Sequence, residues 1–391
     1  GASNNPILIE NTTTTTINLA DGIGATNVVT LSQRLVDGFR VDGFNGTNLI
    51  VGDYNDNGLN STSGSSIKIQ NSSGNITFRS TDITNTVEST PRMVDANLFP
   101  TNDLDDGHGI FLLDNTGTFR VLGTGFQGDG GLILDISNGS GFFSRPAAVE
   151  VRRANFSSFD LDVTMDVTAN LSGPAVRIIN PLPGSTNTVN NMTVQNIADR
   201  AGAFELRTNV NIDGTTLNLI DFDARSYVDP QSSTVLAALS TGTVGTLTFN
   251  MTGTNSAATT GANCIIGNEG TVSFFARSGT LDLLVDSCRI DGPAPAGGDG
   301  FWVSASGVGA VVNADITNNF LLNVASVGIR LNAGTSSSGG TLNANVDNNT
   351  IDTAGGGIAW SGGGGGANFE NSRVTISNNT LSNISAIGMT I

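Results

Sequence analysis

The sequence predicts an all-β fold, a parallel β-helix (β-solenoid) with coils of about 27–31 residues. Three observations carry that expectation. Helical periodicity is nearly absent, and alternating apolar/polar runs closed by Gly, Asn or Asp recur along the chain. The cores Asn318-Asn319-Phe320, Asn348-Asn349-Thr350 and Asn378-Asn379-Thr380 repeat at a spacing of 30. Each follows a β-branched residue (Ile316, Val346, Ile376) and precedes an apolar one (Leu321, Ile351, Leu381). Finally, apolar pairs two residues apart recur as Val149/Val151, Val176/Ile178, Phe204/Leu206, Phe301/Val303, Ile329/Leu331, Ile358/Trp360 and Met389/Ile391.

Those pairs define the coil. Their first members lie 27, 28, 97, 28, 29 and 31 residues apart, and the gap of 97 splits into 31, 30 and 36 if Val235 and Ile265 mark two intervening copies. The run Gly292-Pro293-Ala294-Pro295-Ala296-Gly297-Gly298 reads as a loop inserted at a turn. A single coil of short strands and Asn/Gly turns cannot bury its inward row alone. Stacking at about 4.8 Å builds parallel sheets around a continuous core. The residues between the inward pairs then point outward, and Glu150, Arg177 and Glu205 are expected to form a surface charge ladder on successive coils, with Arg330 on the same face. Asn319, Asn349 and Asn379 are expected to form an internal ladder, stacked amides satisfying one another and the turn backbone.

The period is clear over residues 67–391, read as the parallel β-helix. Residues 1–66 hold strand-like runs without it and read as an N-terminal cap or irregular first coils. Because no capping segment follows the last inward pair, Met389/Ile391, the solenoid is expected to continue beyond it.

Composition narrows the function. Asp and Glu number 34 against 17 Lys and Arg, only Lys68 being a lysine, for a net charge of −17. Nucleic acid and anionic membrane surfaces are therefore poor partners. Charged residues make up 13% of the chain against roughly 25% in an average domain, so the surface must be built from Asn, Thr, Ser and Gly. No apolar stretch approaches about 18 residues, so no membrane insertion is expected. Cys264 and Cys288 are compatible with one disulfide, two thiols or two small buried apolar residues; no CxxC or Cys/His cluster suggests zinc.

The stretches 328–351 and 357–381, with Gly107-His108-Gly109-Ile110-Phe111-Leu112, resemble the right-handed parallel β-helix family, the repeats of large bacterial cell-surface and adhesin-type proteins. The resemblance implies a right-handed solenoid at the cell surface, without catalysis. Such a segment serves an adhesin, a surface layer or a filamentous appendage. Its partners would be other copies, the remaining parts of the same large protein, or cell-surface polysaccharide.

The second reading is a carbohydrate-active enzyme, either a polysaccharide hydrolase or a phage-type depolymerase, or else a glycan-binding module on the same scaffold. The double Asp and Gly-His-Gly of Asp105-Asp106-Gly107-His108-Gly109 are similar to elements of polygalacturonases. There, however, they lie on separate coils and accompany Asn-Thr-Asp and Arg-x-Lys motifs, which this chain lacks. Asp160/Asp162 and Asp221/Asp223 alternate with apolar residues and are expected to face outward about two coils apart, roughly 10 Å. That lies near the carboxylate separation of about 6.5–9.5 Å used by inverting glycosidases.

Asp53-Tyr54-Asn55-Asp56-Asn57-Gly58 matches the first half of a calcium-wrapping turn, with Asp53, Asn55 and Asn57 as ligands; Gly64 stands where the bidentate Glu would be. Trp360 takes an inward position of the repeat. Trp302 points outward, where an indole can stack on a sugar.

Overall fold

The computed structural model describes residues 7–13, 15–19, 28–31, 37–56, 65–84, 108–122, 132–134, 147–161, 164–166, 174–190, 192–197, 202–227, 233–257, 263–267, 271–292, 298–334, 340–362 and 372–390. They divide into two compact units, Gly1–Ala203 and Phe204–Ile391. Each is a parallel β-solenoid. No helix occurs among the described residues, and so none is long and apolar enough to cross a membrane.

In the first unit the strands Ile7–Glu10, Phe39–Asp42, Ile67–Gln70, Ile110–Leu113, Val149–Arg152 and Val176–Ile179 stack in parallel register. A second stack runs through Thr16–Leu19, Asn48–Asp56, Asn75–Thr84, Thr116–Val121 and Asn155–Leu161. A third includes Leu132–Leu134 and Thr164–Asp166. The strands Ile7–Glu10, Thr16–Leu19, Phe39–Asp42 and Asn48–Asp56 take part in these stacks. Coil length varies more than the sequence period suggests. Registered bonds join residues 27, 28, 39 and 43 apart.

Period-2 alternation sets the core of this unit. Phe39, Ile67, Ile110, Val149 and Val176 form one fully buried inward row, with Val41, Ile69, Leu112, Val151 and Ile178 beside it. The rings of Phe39, Tyr54 and Phe78 meet edge to face at 5.5–6.2 Å, and Phe78 continues to Phe119 at 6.0 Å. Each buried aromatic contributes about 1.5–3 kcal/mol in removed apolar surface. The Tyr54 hydroxyl donates to Ser66 O at 2.9 Å, which makes its burial affordable.

Directly after each strand of the first stack comes one left-handed residue: Asn11, Gly43, Asn71, Asp114, Arg153 and Asn180. Asn, Asp and Gly accept that conformation readily because their side chains are short and polar or absent. Arg153 does not share this preference, and its guanidinium is held by Asp114 of the preceding coil through bonds of 2.8 and 2.9 Å.

The second unit is three-sided and more regular. One stack comprises Phe204–Thr208, Ser233–Leu239, Thr271–Ala276, Phe301–Ala305 and the later halves of Phe320–Ala333 and Thr350–Gly362. A second comprises Thr215–Ile220, Thr246–Thr252, Thr280–Asp286, Val311–Thr317, Thr341–Asp347 and Arg373–Ser377. The third comprises Asp223–Tyr227, Cys264–Gly267, Cys288–Asp291, the early halves of the two long strands, and Thr380–Ile384. Backbones approach so closely at the turns that a Cβ on Gly307 would lie 1.7 Å from Arg277 O.

The register corrects one expectation. The row through Phe204 and Val235 continues at Val272, then Phe301. Ile265 instead lies on the third stack, opposite Arg289. Cys264 and Ile266 point inward there and Ile265 outward, so a small apolar cysteine imitates the residue that precedes an inward pair.

Candidate functional site

Among the described residues, a concentration of charge lies on the outward face of the first unit. Val149 and Val151 point into the core, so Glu150 and Arg152 point away from it. Phe111 precedes Glu150 in register and Arg177 follows it. The expected exposed ladder is absent: Glu150 is 0% exposed, Arg152 5% and Arg177 9%, and in the second unit Glu205 is 7% exposed. The reason is mutual packing of large side chains that also pair.

Arg152 Nε donates to Glu150 Oε1 at 2.6 Å, and Arg177 Nη1 donates to Oε2 at 3.3 Å from the next coil. His108 Nε2 stands 3.7 Å from the same Oε2. The Phe111 ring carries Arg152 Cζ at 5.2 Å and Lys68 Nζ at 5.7 Å from its centroid, while the His108 ring stacks on it at 5.3 Å. Cations over a ring face are attracted by its quadrupole, more strongly when desolvated. Glu150 is thus an anion fixed between two guanidiniums, and His108 Nδ1 lies 3.1 Å from both the main-chain N and O of Ala147. This arrangement ties coils together.

The sequence signal for this cluster is an acid and a base two residues apart, hence on one strand face. It recurs as Arg40/Asp42, Glu150/Arg152, Glu205/Arg207 and Arg289/Asp291, all of which pair in the structure.

The other candidates are scattered. Asp160 lies in the strand Asn155–Leu161 of the first unit, in register with Arg120. Asp162, like Asp105 and Asp106, lies outside the described residues. In the second unit Asp221 is 7% exposed at a left-handed turn. Its carboxylate accepts from Thr254 N at 2.8 Å and from Thr254 Oγ1 at 2.8 and 3.1 Å. Asp223 opens the following strand opposite Ile265. Asp53 and Asn55 belong to the extended strand Asn48–Asp56, flanking the buried Tyr54. Asn57 lies outside the described residues. Among the described residues no three His, Cys, Asp or Glu side chains gather as a metal site.

One turn of the second unit is organised by side chains. Asn319 Nδ2 donates to Asn349 Oδ1 at 3.0 Å, and Asn349 Nδ2 to Asn379 Oδ1 at 2.9 Å. The main-chain N–H groups of Asn319 and Asn349 donate to the same two oxygens at 3.0 and 2.9 Å. Each amide also reaches back to a carbonyl of the strand before it: Val285, Ile316 and Val346. One coil earlier the same position is Cys288, disulfide-bonded to Cys264 with Cα atoms 4.7 Å apart and in direct register.

No protein-family model matches the chain, and neither a curated protein nor a solved structure shows significant similarity to it. What fold and site define is a class: a parallel β-solenoid whose coils are cross-linked by amide stacks, ion pairs and one disulfide.

Proposed function

We propose that this chain is a structural β-solenoid segment of a large extracellular protein, working as an adhesin shaft, surface-layer element or appendage subunit. The observation that carries the reading is the turn column Cys264–Cys288–Asn319–Asn349–Asn379, where every coil is linked to the next by a covalent bond or an amide. Such a column stabilises a long stack and does nothing for a soluble substrate. The disulfide supports an oxidising location, outside the reducing cytosol. The charged and histidine side chains best placed for catalysis are occupied: Glu150 by two arginines, His108 by main chain and Phe111, and Asp221 by Thr254. With charged residues only 13% of the chain, a surface rich in Asn, Thr and Gly suits display in variable ionic conditions, because few ion pairs depend on the salt concentration.

Thiol trapping tests this. Protein extracted from producing cells under acid quench should resist maleimide at Cys264 and Cys288 until reduced. Full alkylation without reductant would place the chain in a reducing compartment and overturn the reading. A parallel screen for reducing ends released from polysaccharides should be blank; release abolished by His108→Ala or Asp221→Asn would establish the enzyme instead.

A further inference from the structure

Trp302 does none of the work described above. It lies on the outward face of Phe301–Ala305, between the buried Phe301 and Val303, and is only partly covered. Its ring meets Phe275 of the preceding coil edge-on, with centroids 4.9 Å apart and planes at 85°. On its other side lies Asn332 of the next coil; with its amide turned to the orientation that satisfies both of its polar atoms, the oxygen accepts from the indole Nε1 at 2.8 Å and the nitrogen donates to Leu331 O at 3.0 Å. Phe275, Ser304 and Asn332 are in register on three successive coils. The indole therefore bridges from the first to the third, and Ser304 between them is 5% exposed. Held between Phe275 and Asn332, the half-buried indole keeps part of its surface in solvent. Its orientation is fixed before any ligand arrives, which lowers the entropic cost of binding.

The polar groups around this ring carry no net charge. Arg330, in register with Trp302, makes two bonds to Asp299, one of them Nη2 to Oδ1 at 3.0 Å. The pair cancels in charge, the guanidinium plane is held, and Arg330 stays 34% exposed with Nη1 outside the fork. Ser361, next in register after Asn332, is exposed. A flat apolar face with hydrogen-bonding donors and a hydroxyl at its rim matches a pyranose ring, whose axial C–H face stacks on indole while its equatorial hydroxyls bond at the edge. The chain's −17 charge repels anionic polymers.

We infer that Trp302, with Phe275, Asn332, Arg330 and Ser361, forms a binding platform for a neutral pyranose oligosaccharide. The platform goes beyond the structural role and is independent of it.

The test uses a Trp360→Phe background, in which Trp302 is the sole tryptophan. Cellohexaose, maltohexaose and the N-acetylglucosamine hexamer are titrated against its fluorescence, with oligogalacturonate as the charged control. At least one neutral hexamer should give a saturable change, with oligogalacturonate much weaker. By calorimetry, Trp302→Ala should weaken binding by about tenfold or more. Trp302→Phe should retain part of the affinity, and Arg330→Gln should lose several-fold while the thermal midpoint stays within a few degrees. Binding of none of the hexamers, equal binding by Trp302→Ala, or concentration-dependent dimerisation through this face in sedimentation would each overturn the proposal. Should Trp302→Ala fail to fold, Trp302→Phe and Arg330→Gln still decide it. Absence of glycan binding leaves the thiol-trapping result untouched, so the two readings fail separately.

Discussion

Asn319 Oδ1 accepts the main-chain N–H of Cys288 at 2.9 Å, so the disulfide and the asparagine stack are one continuous column at a single turn position. Phe222 holds the position before Cys264 in the same column, fully buried. Three chemistries thus solve one problem, the filling of a buried turn whose main-chain groups need partners. The aromatic fills it with volume, the cysteines with a bond, and the asparagines with two donors and an acceptor each.

The covalent link should contribute measurably to stability. Cys264 and Cys288 are 24 residues apart, and closing a loop of that size stabilises by roughly 3 kcal/mol in the chain-entropy model. The double Cys→Ser protein should show that loss in denaturant titration. Replacing both with Asn should recover part of it by extending the amide stack, and a double Asn protein no better than double Ser would contradict the shared-column account.

Within the stack, position decides cost. Asn349 is 1% exposed and bonds to Asn319 and Asn379, whereas Asn379 is half-buried and, among the described residues, shares an amide bond with Asn349 alone. Asn349→Ala removes the acceptor of the Asn319 N–H, at a cost of about 1–3 kcal/mol, and a donor to the Ile316 carbonyl. Chemical unfolding should rank Asn349→Ala clearly below Asn379→Ala in stability.

Glu150 should behave as a buried ion-pair member. Removing it alone, as Glu150→Gln, strands Arg152 and Arg177 and is expected to cost about 3–5 kcal/mol. Replacing Glu150, Arg152 and Arg177 together by Leu should cost less than the single change. A double-mutant cycle with no coupling would show that the charges act separately.

Acid should weaken the first unit. Burial pushes the Asp42 carboxyl upward, but bonds from Asn71, Gln70 and Arg40 together outweigh it and hold its pKa below the usual carboxylate value. Bonds from Ser382 and Asn383 lower Asp352 likewise in the second unit. A depressed folded-state pKa gives stability that is present above the unfolded-state value, about 3.9, and is lost as pH falls through the folded-state value. Thermal midpoints should therefore drop below about pH 4, and Asp42→Asn should flatten part of that slope.

The solenoid was legible because stacking imposes a period that composition cannot imitate: the Asn-Asn pairs return every 30 residues and the inward pairs near every 28. Alternation alone proved insufficient at Ile265, where inward Cys264 and Ile266 reverse the pattern, and only register with Arg289 reveals the correct sheet. Alternation also assigned Glu150 to the outer face of its strand, as found, but could not show that Phe111, Arg152 and Arg177 bury it there. Burial on an outer face depends on which side chains the neighbouring coils place beside it. For coils 39 and 27 residues long, that pairing cannot be counted from one period.

The most direct measurement is immunogold electron microscopy of producing cells with an antibody to this segment. Gold aligned on a regular envelope layer or on filaments is the predicted result. Gold confined to the cytoplasm, or protein found only free in the medium, would contradict a structural role at the cell surface.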